Sequence, residues 1–360
     1  MPSVNIDIDV PTAAPAAAPT AAPTAAPTAL VTETVCTQLG SRLRDALPAG
    51  MTLLPFTTAR QWSDAELASI AVAFMSSDVI GESSKTHWTD EMTRFCDAVR
   101  RAPKLRWLQN SAAGVDRPIF GELASRGVRV TTAAGAASET VALTAITGML
   151  ALSRRMPLWI TNKARRSWQP LRTGALEPRE LRGQTLLIVG CGPIGQEIAR
   201  MAKTFGLVVK GLRFSGPAAL ENFDRVDGLD ALADTVGTAD WVIAACPLTP
   251  ETTHLFDERV FARFKPGANF INIARGGVVD EPRLAEALQS GRIAGAYLDV
   301  FEVEPLPAES LFWDLPNVIL SSHSAGDTTG RHARIADIFL DNLARWGSGR
   351  ALLNEASFVR

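Results

Sequence analysis

The sequence predicts an α/β protein in which a doubly wound parallel sheet is inserted within a smaller parallel-sheet unit. Three observations predict it. Leu186-Leu187-Ile188-Val189-Gly190-Cys191-Gly192-Pro193-Ile194-Gly195 reads as a buried strand running into a Gly-x-Gly-x-x-Gly turn. On both sides of this turn, short apolar runs alternate with helically spaced segments, as in sheets covered by helices. A closing segment, Arg331 to Trp346, has the spacing of a helix that returns to the first unit.

Taken in order, the chain opens with residues 11–29, which repeat Pro-Thr-Ala-Ala and offer little to bury. Residues 1–35 are therefore expected to be a disordered tail. Asp7 and Asp9, with no Lys or Arg before the repeat, are unlike a targeting peptide. Helices are expected at Leu39 to Leu47 and Met92 to Arg101, and strands at Met51 to Phe56, Ile70 to Met75, Leu105 to Leu108 and Val128 to Thr131. The third strand runs into Gln109-Asn110-Ser111-Ala112-Ala113-Gly114-Val115-Asp116, which fits a ligand-binding strand end and equally a plain turn. Residues 36–137 with 325–360 form the expected flavodoxin-like substrate unit, and 138–324 the Rossmann-type dinucleotide unit. Ala133 to Ala137 reads as a hinge, Ser138 as the cap of a buried helix to about Ser153, and Arg154 to Arg179 as a connection bearing Trp159 and Trp168. Further strands are expected at Trp241 to Ala245, Asn269 to Asn272, Ala294 to Leu298 and Val318 to Leu320.

Composition narrows the function. A net charge of −2 without basic clusters argues against a nucleic-acid surface. The apolar stretch Val141 to Leu152 is too short to span a bilayer. Four cysteines, widely spaced, suggest neither disulfides nor a zinc site, so a cytoplasmic protein is expected.

Within the glycine-rich turn, Gly190 allows the bend, Gly192 admits a pyrophosphate and Gly195 lets helix pack on strand. The helix behind it presents unpaired N–H groups and a positive dipole end. An ordinary strand-to-helix turn would show the same glycines. Beyond it, Arg275, Glu304 and His323 each follow a predicted strand, and neighbouring strand ends in a doubly wound sheet share one crevice. Reduction of a ketone beside a carboxylate needs a proton donor and a cation. Histidine with a carboxylate partner suits the first task and arginine's planar fork the second. Taken singly, these residues also read as a surface arginine, a loop acid and a satisfied histidine.

With these residues in view, the sequence resembles the D-isomer-specific 2-hydroxyacid dehydrogenases over roughly residues 50 to 345. The segments that carry the resemblance are Leu181 to Gly195, Pro247-Leu248-Thr249-Pro250-Glu251-Thr252, Asn272-Ile273-Ala274-Arg275-Gly276-Gly277 and Leu298-Asp299-Val300-Phe301-Glu302-Val303-Glu304-Pro305-Leu306. The resemblance implies that Arg275 binds the substrate carboxylate and carbonyl, and that Glu304 supports His323 as proton donor. Ala113 and Gly114 then match the loop that holds the carboxylate. Pro193 and Ile194 match pyrophosphate contacts, Thr252, Ile273 and Ala274 residues along the cofactor, and Asp299 the acid near the nicotinamide carboxamide. A small-molecule 2-keto acid substrate, domain closure and a homodimer are implied in the same way.

Two positions depart from the family pattern. Ser322 stands where a proline usually precedes the histidine, so a looser loop is expected. Arg213, with Ser215 nearby, stands where NAD enzymes place an acid for the ribose 2′-hydroxyl. This favours NADP, while an exposed Arg213 would leave NAD possible. The alternative function is a non-catalytic, corepressor-like dinucleotide-binding protein on the same scaffold, for which the proline-rich tail offers some support.

Overall fold

The protein is described here from a computed structural model, in which residues 26–83, 87–172 and 177–358 are placed. Two parallel sheets organise them. The smaller contains β1 (Thr28–Thr32), β2 (Thr52–Phe56), β3 (Ile70–Met75), β4 (Trp107–Asn110) and β5 (Arg129–Thr131), in the order β2-β1-β3-β4-β5. This is the flavodoxin-like order, with its switch point between β1 and β3. The larger contains β6 (Thr185–Val189), β7 (Val208–Arg213), β8 (Arg225–Gly228), β9 (Trp241–Ala244), β10 (Ala268–Asn272), β11 (Ile293–Leu298) and β12 (Val318–Leu320). Its order, β12-β11-β10-β9-β6-β7-β8, winds outward in both directions from β6 and β9. The architecture is the doubly wound α/β fold expected from the sequence.

Burial explains why these runs are strands. Leu186, Leu187, Ile188 and Val189 of β6 are fully buried, as a central parallel strand covered on both faces requires. The Ser138–Ser153 helix joins the two sheets, and the Arg331–Gly347 helix returns to the smaller one. There Phe339 stacks on Phe74 with ring centroids 4.2 Å apart and packs beside Trp107.

The structure corrects several expectations. Ordered chain begins before residue 36: β1 lies between β2 and β3, with Ala29, Leu30 and Val31 fully buried. The Pro-Thr-Ala repeat runs up to Pro27 and hides this three-residue apolar core. The first helix is longer than expected, Glu33–Ala46, and is kinked at Gly40. Ser138 is the first helical residue rather than the cap, and Ala137 takes the cap position without a side-chain bond. Part of the tryptophan-bearing connection is itself a helix, Met156–Ala164. Residues 1–25 of the expected tail lie outside the described residues.

Candidate active site

The strand ends of both sheets face a cleft of about 300 Å³, lined by Ala113, Gly114, Asp116, Ile194, Ile273, Arg275, Asp299, Glu304 and His323. Arg275, Glu304 and His323 therefore meet in one place, with Ala113 and Gly114 beside them. His323 follows β12, and its Nδ1 stands 2.8 Å from Glu304 Oε2. The other carboxylate oxygen of Glu304 accepts from the Phe301 N–H at 3.1 Å, which fixes the acid before it meets the imidazole. His323 has φ +50°, a left-handed conformation that costs a non-glycine residue energy and that clusters at functional sites.

Asp299 holds that conformation in place. It is 2% exposed, and its carboxylate accepts from Ser321 Oγ at 2.6 Å, from the Ser324 N–H at 2.9 Å and from the Ala325 N–H at 3.1 Å. The Asp299 carbonyl accepts from the His323 N–H at 2.7 Å. The loop carrying Ser322 is thus anchored from both flanks, contrary to the looseness expected from the missing proline. Asp299 also lines the cleft.

Arg275 follows β10. Its Nε donates to Asp116 Oδ2 at 3.0 Å and its Nη1 to the Ala274 carbonyl at 2.7 Å. Gly114 makes room for this guanidinium, since a Cβ there would come within 2.3 Å of Arg275 Nη2. Asn110 braces the same loop, donating to the Gly114 carbonyl at 2.9 Å and accepting from the Ala112 N–H at 3.2 Å. Asp116 was not singled out from the sequence. Its partner lies 159 residues away, so only the fold brings the pair together.

The glycine-rich turn fits a dinucleotide. Gly190 has φ +111°, and a Cβ there would strike the Ala245 backbone at 2.5 Å. A Cβ on Gly195 would lie 2.1 Å from the Gly190 carbonyl oxygen, so helix and strand touch. Gly192 faces open space and caps the Pro193–Thr204 helix without a side-chain bond, leaving first-turn N–H groups for a pyrophosphate. Arg213 ends β7, and its Nε donates to Ser215 Oγ at 2.6 Å. The Cys191 thiol of the turn donates to the carbonyl of Leu212, the residue before Arg213, at 3.5 Å, and burial pushes that thiol up to about 11 while the Arg213 charge pulls it down. Ala274 is buried and contributes its carbonyl to Arg275. Thr252 is also buried, and its hydroxyl is spent on the Pro247 carbonyl and the Thr249 N–H, both at 2.7 Å. These two bonds shape the loop.

Residues 146–325 match the family model described as D-isomer specific 2-hydroxyacid dehydrogenase, NAD binding domain. A glyoxylate reductase of Thermococcus gammatolerans is 38% identical over 255 residues, covering 69% of this chain and 75% of that protein. The chain belongs to the D-isomer specific 2-hydroxyacid dehydrogenase family. A family protein from Aeromonas salmonicida has a solved structure that superposes with TM-score 0.74 at 29% identity, over 92% of this chain and 99% of that one. An NADPH-dependent glyoxylate/hydroxypyruvate reductase from Sinorhizobium meliloti, solved with NADP and sulfate, superposes with TM-score 0.71 at 26% identity, covering 92% and 98%. This member of the family is an NAD(P)-dependent 2-hydroxyacid oxidoreductase. Nothing in the comparisons supports the corepressor-like alternative.

Proposed function

We propose that this dehydrogenase reduces a small 2-keto acid of the glyoxylate or hydroxypyruvate class, using NADPH in preference to NADH. The observation that carries the reading is the convergence of the His323–Glu304 pair and Arg275 on one cleft, across from Ala113 and Gly114. In this reading Arg275 binds the substrate carboxylate with the Ala113–Gly114 loop, and its remaining N–H groups polarise the carbonyl. Glu304 occupies Nδ1 of His323 and so leaves Nε2 as the nitrogen that serves the cleft. A bound reduced nicotinamide supplies the hydride. The His323 imidazolium gives its Nε2 proton to the carbonyl oxygen as the alkoxide develops, and regains a proton from water after product release. Oxidation of the hydroxy acid runs through the same atoms in reverse.

Residues 190–195 are the pyrophosphate site in this proposal, with Ile273 and Asp299 along the nicotinamide half and Arg213 with Ser215 at the ribose. The small unit, 26–137 with 325–358, presents the substrate loop, and 138–324 carries the dinucleotide. Residues of the Ser138–Ser153 and Met156–Ala164 helices expose Leu143, Met156, Trp159 and Ile160, and Trp168 beyond them is 95% exposed, which supports a homodimer through this face. Light scattering checks it, and a monomer mass at micromolar concentration overturns it. Four free cysteines are in keeping with a reducing cytoplasm. Among the described residues no helix is long and apolar enough to cross a membrane.

The test of the reaction is a panel of glyoxylate, hydroxypyruvate, pyruvate and phenylpyruvate, each assayed with NADPH and NADH. The highest kcat/KM is expected for one of the first two with NADPH. A clear preference for phenylpyruvate overturns the substrate class.

A further inference from the structure

A second histidine–glutamate pair lies on the turn that carries the catalytic acid, and a half-buried acid, Glu281, grips the same turn. His254 Nε2 is 2.7 Å from Glu302 Oε1, on the surface side of the turn that carries Glu304. Glu281, the first residue of the Glu281–Gln289 helix, accepts from the Glu302 N–H at 2.7 Å. The preceding N–H, that of Phe301, is taken by Glu304 itself at 3.1 Å. Consecutive N–H groups of one turn are therefore gripped by two different carboxylates. Gly276 closes the turn from below, because a Cβ there would come within 1.8 Å of the Phe301 carbonyl carbon. His254, at φ +49°, is fixed by donating its N–H to the Gly277 carbonyl at 2.9 Å.

We infer that Glu281 is a positioning residue for the reaction: it holds the Phe301–Glu304 turn that presents Glu304 to His323, and its charge acts on the carboxylates of both histidine–glutamate pairs. This rests on the reading of His323 as the proton donor. The charged groups facing Glu281 from the packed turn are Glu302 and Glu304, with His254 reached through Glu302. On its own helix, Arg283 turns to Glu286 at 2.9 Å and Glu258 at 3.6 Å, and Asp280 is occupied as the helix cap. Burial pushes the Glu281 carboxyl up to about 7; the charges of Glu302 and Glu304 act in the same direction, and the Glu302 N–H opposes them. The acid that grips the turn thus changes charge around neutral pH. Ionised, it adds a negative charge beside the turn that presents Glu304; protonated, it removes that charge.

The sign for stability follows from the same displacement. The native carboxyl binds its proton more tightly than an unfolded glutamate, whose ordinary value is 4.5. Stability is full below about 4.5 and falls as pH rises through about 7.

Two variants of the full chain test the inference. Glu281→Gln keeps an oxygen for the Glu302 N–H and removes the charge, whereas Glu281→Ala removes both. For the glutamine variant, KM for the keto acid should stay within about twofold, while the basic limb of the kcat/KM profile moves to lower pH by roughly 0.3–0.5 unit, the order expected for removing one nearby charge in a water-like dielectric. Its Tm should fall less than that of the unsubstituted protein between pH 5 and 8. The alanine variant should lose about tenfold in kcat with little change in KM, as expected for a misplaced supporting group. An unmoved pH limb in the glutamine variant overturns the coupling and leaves Glu281 a brace alone; unchanged kcat in the alanine variant overturns the positioning role. The underlying reading is tested separately with His323→Ala. If that variant is inactive while Glu281→Gln behaves as the parent, only the present inference falls.

Discussion

Gly114→Ala tests the substrate clamp through a single methyl group. The added carbon would stand 2.3 Å from Arg275 Nη2 and 3.3 Å from Asp116 Oδ2. Ordinary contact begins near 3.4 Å, so the guanidinium must withdraw by roughly 1 Å. It is not free to do so without loss, because Asp116 holds Nε at 3.0 Å and the Ala274 carbonyl holds Nη1 at 2.7 Å. The displacement removes a charge-assisted hydrogen bond to the substrate carboxylate, about 1.5–3 kcal/mol, or roughly ten- to 150-fold in kcat/KM. Because the carbonyl shares the same guanidinium, part of the loss should appear in kcat as well as in KM. The glycine-rich turn belongs to the other sheet, so NADPH affinity should remain within about twofold. The assay is steady-state oxidation of NADPH, with cofactor binding measured by titration and folding by thermal melting. Unchanged KM and kcat in a folded protein would refute the placement of the substrate carboxylate between Gly114 and Arg275.

Three further outcomes can be measured in the same way. His323→Ala should retain NADPH binding and lose about two to four powers of ten in kcat, the range for a missing general acid, while Glu304→Gln should be milder; near-normal turnover in the first overturns the donor assignment. Arg213→Asp should reduce kcat/KM for NADPH by about ten- to a hundredfold and leave NADH equal or improved, and an unmoved ratio means Arg213 does not meet the 2′-phosphate. Deleting residues 1–25 should leave Tm nearly unchanged, whereas deletion through Thr32 removes Leu30 and Val31, each worth about 1.5–3 kcal/mol of burial, and should abolish cooperative unfolding of the small sheet.

The extent to which the sequence disclosed this structure depends on where each signal resides. β6 is legible because four apolar residues precede three glycines whose spacing has one structural use. β1 is hidden because its apolar core, Ala29 to Val31, directly follows a repeat that reads as uniformly unstructured. β8 is a strand of the sheet edge with Val226 as its one buried large residue, so Arg225-Val226-Asp227-Gly228 carries no period to detect. The strand-end rule suffices for Arg275, Glu304 and His323, since it needs only local runs. Asp116 and Glu281 act on partners supplied by distant segments, and no local pattern distinguishes them from surface acids.

Asp299 shows how the family site tolerates the serine at 322. A proline would restrict that backbone through its own ring. Here the restriction comes from a neighbouring strand instead, since one carboxylate oxygen of Asp299 is shared among Ser321 Oγ and the N–H groups of Ser324 and Ala325. Ser321 is in turn 2.7 Å from the hydroxyl of Tyr297, two residues before Asp299 on β11. A buried carboxylate is costly unless such donors surround it, so the acid and the loop stabilise one another. The left-handed backbone at His323 lies between these anchors and inherits their position. What proline would contribute by stiffening one residue is achieved by tying the loop to Asp299, just past the carboxyl end of β11, from which the Glu304 segment departs. The donor follows β12 and its supporting acid follows β11, and Asp299 ties the two segments together beside their 2.8 Å contact.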